Sequence, residues 1–458
     1  MIERLAMNEM NKQHDFTEGH ILKQVIVFSG PIMLTNLLQT SYQVVDSLWI
    51  GNLLGAHALG AVTVSGAIVF TVLSFVIGLN NAALAILSQQ KGRDDHDGMK
   101  RYLNAFVVIL TTMAVVLSIS GFFFSETLLN MLGTPEDMME QANVYLQINF
   151  VGVLFLFGYN FISTVLRALG DSKTPLRFVM IAVLLNIVLD PLLIAGFNLG
   201  IAGAAYATII AQGTAFIYGV IHVLRFKLAP FSLPSIPTRQ EVGLILNLGI
   251  PSGLQMAVIS AGSAAIMSVV TKFGGSVVGG FGAAQRLDNI LMLPASALGT
   301  AVSSMAGQNI GVKKWRRVGE ITKHTLLYNF AMMASIGIII VLFAEHGVRL
   351  FIQDDHEAVA FATTYLRILA FCFPFLGINF ILNGVVRAAG AMYQVLVLNV
   401  ISFWALRYPL TALFANLYGE IGIAIGMGTS FIISSIFASL YYRYGKWREK
   451  ELFSKDTG

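Results

Sequence analysis

Asp46 and Asp190 are the residues of this sequence with the clearest capacity for chemistry. Each interrupts an apolar stretch long enough to cross a bilayer, and Asp46 is the only Asp, Glu, Lys or Arg between Lys23 and Lys91. A lone carboxylate at mid-helix in lipid costs about 2.5–3.5 kcal/mol, so its presence calls for a use. Helical periodicity gathers polar company around both acids. Gln39 and Tyr42 precede Asp46 on its own face, Asn186 lies one turn before Asp190, and Thr208 and Gln212 share a face of a later segment. Asn160 and Ser163, on a segment between them, are candidates to join. If these faces converge, they enclose a polar pocket within apolar walls. Desolvation and a neighbouring negative charge then disfavour ionising both carboxyls, and the pair can take up a proton near neutral pH. The competing reading is structural, with each acid satisfying local backbone donors next to a kink.

Other polar and soft side chains are more ambiguous. Arg286 and Asp288 are two residues apart and do not share a helical face, so each needs a partner on another helix. Arg407 can snorkel or pair. His57, His222 and His324 fall at segment ends, where an interfacial role is expected. Met33, Met256, Met267 and Met292 could line a substrate cavity, since flexible thioethers repack around differently shaped ligands; ordinary packing is the alternative.

The elements that must position these residues are membrane helices. Of 458 residues 56% are hydrophobic and only 12% charged, against about 25% charged in a soluble domain, which makes the chain a polytopic membrane protein. Its basic pI of about 9.0 reflects Lys and Arg spread over short loops and does not point to nucleic acid. A single cysteine, Cys372, excludes an internal disulfide and a Cys-cluster metal site. There is no His-Glu-x-x-His, no Gly-x-Ser-x-Gly and no phosphate-binding Gly-x-x-x-x-Gly-Lys-Ser/Thr loop, so neither a membrane enzyme nor an ATP motor is expected. No metal or cofactor is called for.

Apolar runs of about 20 residues or more fall at 23–50, 57–89, 101–125, 140–166, 175–197, 201–225, 241–270, 277–306, 321–344, 358–386, 392–416 and 420–444, predicting twelve long helices, several tilted or kinked. Lys and Arg concentrate in the connections after the second, fourth, sixth and eighth segments: Lys91, Arg93, Lys100 and Arg101; Arg167, Lys173 and Arg177; Arg225, Lys227 and Arg239; and Lys313 to Lys323. Those connections are expected to be cytoplasmic, with both termini, in a cell membrane. The first twenty residues lack the pattern of a cleaved signal. The expected organisation is a cytoplasmic tail at 1–22, a six-helix bundle at 23–226, a cytoplasmic linker at 227–240, a second bundle at 241–445 and a tail at 446–458.

The two bundles repeat one another. Arg167-Ala-Leu-Gly170 returns as Arg387-Ala-Ala-Gly390, Tyr145-Leu146 as Tyr365-Leu366, Gly30-Pro31 as Ile250-Pro251 and Gln89 as Gln308, at offsets of 219 or 220, while Pro191-Leu192 returns as Pro409-Leu410 at 218. Six is an even number, so the halves enter the membrane in the same direction, related by an axis along its normal, with a central cavity expected between them. Pro31 and Pro191 are duplicated and read as kinks and hinge candidates. The acids are not duplicated: Asp46 corresponds to Ile266 and Asp190 to Tyr408. A carboxylate kept in one half only is expected to be functional.

Twelve helices in two halves, the proline-kinked first segment ending in Val-Asp-Ser-Leu-Trp-Ile-Gly (45–51), the Leu-Arg-Ala-Leu-Gly-Asp-Ser-Lys-Thr-Pro stretch (166–175) and Asn-Ile-Val-Leu-Asp-Pro (186–191) resemble the multidrug and toxic compound extrusion family, within it the DinF-like branch. The resemblance implies paired six-helix bundles that export organic cations in exchange for protons or sodium ions. It implies coupling residues at Asp46 and Asp190, with Tyr42, Tyr145, Asn160, Asn186 and Thr208 around them. Another branch places acids within the seventh and tenth helices; here Glu241 and Glu357 fall only at helix ends. The expected function is therefore proton-coupled efflux of lipophilic cationic small molecules. Sodium coupling through the same pocket and a lipid-linked sugar flippase of the same superfamily are the rivals.

Overall fold

The computed structural model describes residues 14–352 and 354–453, and the outer parts of both expected tails, 1–13 and 454–458, lie outside the described residues. Among the described residues every regular element is a helix. The first half contains α1 (Ile21–Leu54), α2 (Ala56–Arg93), α3 (His96–Met131), α4 (Glu136–Val151), α5 (Val153–Ala168), α6 (Lys173–Pro191) and α7 (Gly200–Phe226). The second contains α8 (Arg239–Val270), α9 (Gly275–Gly311), α10 (Trp315–Arg349), α11 (His356–Ala370), α12 (Phe373–Ala388), α13 (Met392–Val400), α14 (Tyr408–Tyr418) and α15 (Ile421–Tyr444). At 34 residues, α1 is about 50 Å long at 1.5 Å per residue, well beyond the roughly 30 Å hydrocarbon layer.

Among the described residues ten helices are long and apolar enough to cross a membrane, and twelve spans result when each of two bent pairs counts once. The pairs are α4 with α5, bent by 50°, and α11 with α12, bent by 56°. They occupy the fourth and tenth expected segments, where the sequence suggested single runs. The breaks fall at Gly152 in one half and at Phe371–Cys372, just before Pro374, in the other. A π-helical turn also recurs: Leu192–Gly196 directly after Pro191, and Ile401–Arg407 directly before Tyr408-Pro409. Proline removes a backbone donor and crowds the preceding turn, and a widened turn is one way a helix accommodates that.

The chain divides into two compact units, and the division follows the prolines instead of the linker. One unit comprises the described residues through Asp15 with Gly30–Gly249; the other comprises Phe16–Ser29 with Ile250 onward. Residues 23–29, expected in the first bundle, therefore pack with the second, and residues 241–249 pack with the first. The changes of allegiance coincide with Gly30-Pro31 and Ile250-Pro251, where the missing proline N–H leaves the helix a weak point.

In the first unit α2 packs on α4 and α5, and α7 packs on α5 and α6. In the second the corresponding α9 packs on α11 and α12, and α15 on α12 and α14. Close approach in this unit depends on small residues. A Cβ at Gly299 of α9 would lie 2.8 Å from the Phe380 carbonyl oxygen of α12, and one at Gly384 of α12 would collide with the Gly299 carbonyl. A few helix starts carry side-chain caps, among them α3 and α11, capped by Asp95 and Asp355. At α8, Glu241 Oε2 accepts from the Thr238 N–H at 2.8 Å and Thr238 Oγ1 accepts from the Glu241 N–H at 3.3 Å, a reciprocal capping box.

The parts of the polar tails that are described are docked. Phe16 is fully buried, its ring 4.8 Å from Phe28, and its backbone carbonyl accepts from Arg317 Nε at 2.8 Å and Asn309 Nδ2 at 3.0 Å. Trp447 is 1% exposed and donates from Nε1 to the Tyr442 carbonyl at 2.7 Å.

Candidate functional site

Asp46, on α1 beyond Pro31, and Asp190, at the end of α6 beside Pro191, both belong to the first unit and are buried. Their carboxyl groups are within hydrogen-bonding reach of one another. Asn186, one turn earlier on α6, donates from Nδ2 to Asp190 Oδ1 at 3.2 Å. The remaining acceptors Asp46 Oδ1, Asp190 Oδ2 and Asn186 Oδ1 are buried without a donor. Among the described residues neither carboxyl pairs with a Lys or Arg.

A cavity of about 260 Å³ opens beside them, lined by Gln39, Tyr42, Asn160, Asn186, Thr208 and Gln212 together with apolar side chains of α2, α5 and α6. The acids do not line it directly; they connect to it through Asn186 and through Tyr42, one turn from Asp46. Tyr42 and Gln212 line it together, and Gln39 Nε2 donates to Tyr159 Oη at 3.2 Å. Tyr145 on α4 is buried beside Asn149, with Asp46, Tyr42 and Asp190 as its electrostatic neighbours.

Two details differ from the sequence reading. Ser163 does not line the cavity, because its hydroxyl donates to the Tyr159 carbonyl one turn back at 2.9 Å. Tyr159, which the sequence reading passed over, is a wall of the cavity and the partner of Gln39. Its position next to Asn160 was the available signal, since neighbouring helix positions can both face a cavity wider than one side chain. Gln43, beside Tyr42, was missed for the same reason.

The second unit assembles a different cluster. Asp288 on α9 is buried and accepts from Tyr365 Oη of α11 at 3.4 Å, while its Oδ1 has no donor. Tyr365 also lies 3.2 Å from Met427 Sδ. Arg407 neither snorkels nor forms an ion pair among the described residues. Its guanidinium sits 3.8 Å from the centre of the Phe403 ring and 4.6 Å from that of Phe431, and its Nε donates to Ser430 Oγ at 3.3 Å. Arg286 is exposed, 5.8 Å from the Phe351 ring. Met267 and Met292 pack on the apolar core of this unit, whereas Met33 and Met256 are half-buried on α1 and α8. The three histidines also take quiet roles: His57 pairs with Asp137 at 3.1 Å on the surface, His222 stacks among Phe178 and Phe226, and His324 Nδ1 meets the Glu320 carbonyl at 2.8 Å.

The repeat seen in the sequence and in the bent spans is also a family trait. The MatE family model matches twice, at residues 31–192 and 251–413, one copy in each half. The chain belongs to the MatE family. These multidrug and toxic compound extrusion proteins are membrane transporters, a class distinct from enzymes. A relative from Bacillus subtilis, the probable multidrug resistance protein YpnP, is 60% identical over 97% of this chain and 100% of its own length. The probable multidrug resistance protein NorM of Thermotoga maritima is 23% identical over 95% of each chain. The fold matches that of solved MatE transporters. An outward-facing family member aligns with a TM-score of 0.89 at 22% identity, covering 93% of this chain and 96% of that one. A superfamily transporter from Pyrococcus furiosus aligns at 0.86 with the same identity and coverage.

Proposed function

We propose that this MatE protein is a proton-coupled exporter of lipophilic organic cations, with Asp46 and Asp190 as the proton carriers. The observation that carries the reading is the buried carboxyl pair: two acids within reach of one another, each with an oxygen lacking a donor, and no Lys or Arg among the described residues to neutralise them. Two carboxyl groups can share a hydrogen bond only when one of them holds a proton. The pair therefore has a natural singly protonated state, and gain or loss of a proton changes its contacts with Asn186 and, through the neighbouring turn of α1, with Tyr42.

In the cycle that follows from this, the outward-open carrier takes up protons at the pair, releases the cation outside, and returns inward to lose its protons. Linkage requires that if protonation weakens cargo binding by some factor, cargo weakens protonation by the same factor. The driving force is about 1.4 kcal/mol per proton for each pH unit, and the membrane potential adds about 2.3 kcal/mol per 100 mV for each proton carried inward beyond the charge of the exported cation. The basic connections are cytoplasmic in this scheme, as are the termini. Pro31 and Pro251 serve as hinges, because each marks the point where a helix passes from one compact unit to the other. The choice of lipophilic cations is supported by the multidrug designation of the Bacillus subtilis and Thermotoga maritima relatives and by a cavity that mixes tyrosine and amide groups with aliphatic walls.

One observation favours sodium as the coupling ion instead. The free oxygens of Asp46, Asp190 and Asn186 are the donor type that a hard cation selects. Proteoliposomes loaded with a fluorescent organic cation decide between them. Proton coupling requires efflux under an imposed pH gradient in sodium-free buffer, and its loss in Asp46→Asn. Efflux driven only by a sodium gradient at fixed pH would replace the proton with sodium, and full proton-driven efflux in the Asn variant would remove Asp46 from the scheme.

A further inference from the structure

After α7 the chain does not leave the first unit directly. Lys227 turns it in a left-handed conformation with φ of 51°, and the Leu228 N–H closes on the Val223 carbonyl at 3.1 Å. The linker is then pinned to α3 by a reciprocal pair of bonds. Asn104 Nδ2 donates to the Ser235 carbonyl and Asn104 Oδ1 accepts from the Ser235 N–H, each at 2.8 Å. Between these two fixtures Leu228 and Ala229 are buried, and Phe231 is held against the end of the bundle.

Phe231 stands between two cavities of opposite character, and with Leu224 it lines both. One, of about 260 Å³, runs between α3, α5 and α7 and is walled by Leu110, Phe157, Phe161, Phe216 and Val220. The other, of about 460 Å³, lies at the basic end of the bundle and is bordered by Gln90, Lys91, Asp94, Asp95 and Lys227. Gln90 is 2% exposed, and its Oε1 is buried with no donor. Among the described residues Lys91 and Lys227 make no ion pair. Asp95 Oδ1 is occupied by the Gly98 N–H at 2.8 Å, and Asp94 lies 3.4 Å from His96. The polar cavity thus offers two cationic donors, a buried acceptor without a donor, and carboxylates that balance the lysines.

An apolar chamber opening beside such a pocket matches an amphiphile with an acyl chain and a zwitterionic head. We propose that the linker and α7 form a binding site for phosphatidylethanolamine. The phosphate lies between Lys91 and Lys227, and the ammonium N–H meets the free Gln90 oxygen and the carboxylate edge. One acyl chain enters the chamber behind Phe231. Phosphatidylcholine presents the same phosphate and chains but no N–H for Gln90. Phosphatidylglycerol offers hydroxyl donors but adds a net negative charge to a pocket that already holds Asp94 and Asp95. The site is independent of the ion-coupling pair.

Native mass spectrometry of the purified full-length chain, delipidated and then equilibrated with equal amounts of the three lipids, tests this. Phosphatidylethanolamine should be retained about fivefold over phosphatidylcholine and over phosphatidylglycerol, and the Lys91→Ala/Lys227→Ala variant should lower its retention by about fivefold or more. Lys227 is exposed and Lys91 half-buried, and neither makes an ion pair among the described residues, so the variant should keep its lipid-free Tm. Val220→Phe, which fills the chamber without touching the pocket, should also lower retention, and water-soluble glycerophosphoethanolamine should fail to compete. Equal retention of the three lipids, a preference for phosphatidylglycerol, unchanged retention in the lysine variant, or competition by the soluble headgroup would each overturn the assignment.

Discussion

The two halves repeat one scaffold but carry unlike chemistry. Both have a proline-marked first helix, a span broken by about the same angle at the same place, and a π-turn beside the second proline. Tyr145 and Tyr365, equivalent by the repeat, are both buried close to a carboxylate of their own half. The carboxylates come from different positions. In the first half they are Asp46 and Asp190, facing each other beside a polar cavity. At the equivalent places in the second half, Ile266 is part of the apolar core and Tyr408 packs against it. That half instead holds Asp288 across from Tyr365, with Arg407 clamped between two phenylalanine rings. Duplication preserved the bending points and the packing, which any moving bundle needs, and left the charged groups free to diverge. An acid pair with no described base beside it is suited to carrying a proton; a lone acid on a tyrosine hydroxyl and an arginine held between aromatic rings tie helices to one another.

The comparison predicts its own failures. The largest effect should come from Asp46→Asn or Asp190→Asn, either of which reduces proton-driven efflux to background. The double variant should be no worse than either single one, because the two acids act as a unit. Asp288→Asn should leave efflux driven by a pH gradient intact; if it abolishes coupling, the contrast between the halves is wrong. Next in size is the transplant Ile266→Asp, which places a carboxylate in the apolar core of the second half. It should destabilise the protein by about 3 kcal/mol, visible as a lowered Tm in detergent. A normal Tm would mean that the second half tolerates a carboxylate as readily as the first. Removing the cation–π clamp with Arg407→Ala should cost about 2 kcal/mol, and Arg407→Lys should recover only part of it, since an ammonium cannot stack as a guanidinium does. Smallest is Thr238→Ala, which opens the capping box of α8 at a cost of about 1 kcal/mol with transport per folded molecule unchanged.

Much of the site was legible in advance because helical periodicity is a strict ruler. Four- and seven-residue spacings grouped Gln39, Tyr42 and Asn186 with their acids; in the structure Asn186 meets Asp190 and Tyr42 neighbours Asp46, while Gln39 bonds to Tyr159. Ser163 failed the same test because a hydroxyl in lipid can satisfy itself on the carbonyl one turn back. Tyr159 and Gln43 escaped notice because a cavity accepts more than one stripe of a helix. Arg407 was read as snorkelling or pairing and does neither: it is buried, and its partners lie on the π-turn itself and on α15.

Composition, length of apolar runs and the offset of about 220 residues by themselves determined a helical membrane protein made of two copies of one bundle, with Asp46 and Asp190 not repeated in the second. Those properties follow from solvent and from chain geometry, which act locally. The tertiary structure alone decided that the two carboxyls touch, that two spans are broken, and that the compact units exchange helix ends at Pro31 and Pro251. Such features depend on which helices meet and at what angle, and contacts between residues more than a hundred positions apart leave no period in the sequence to read.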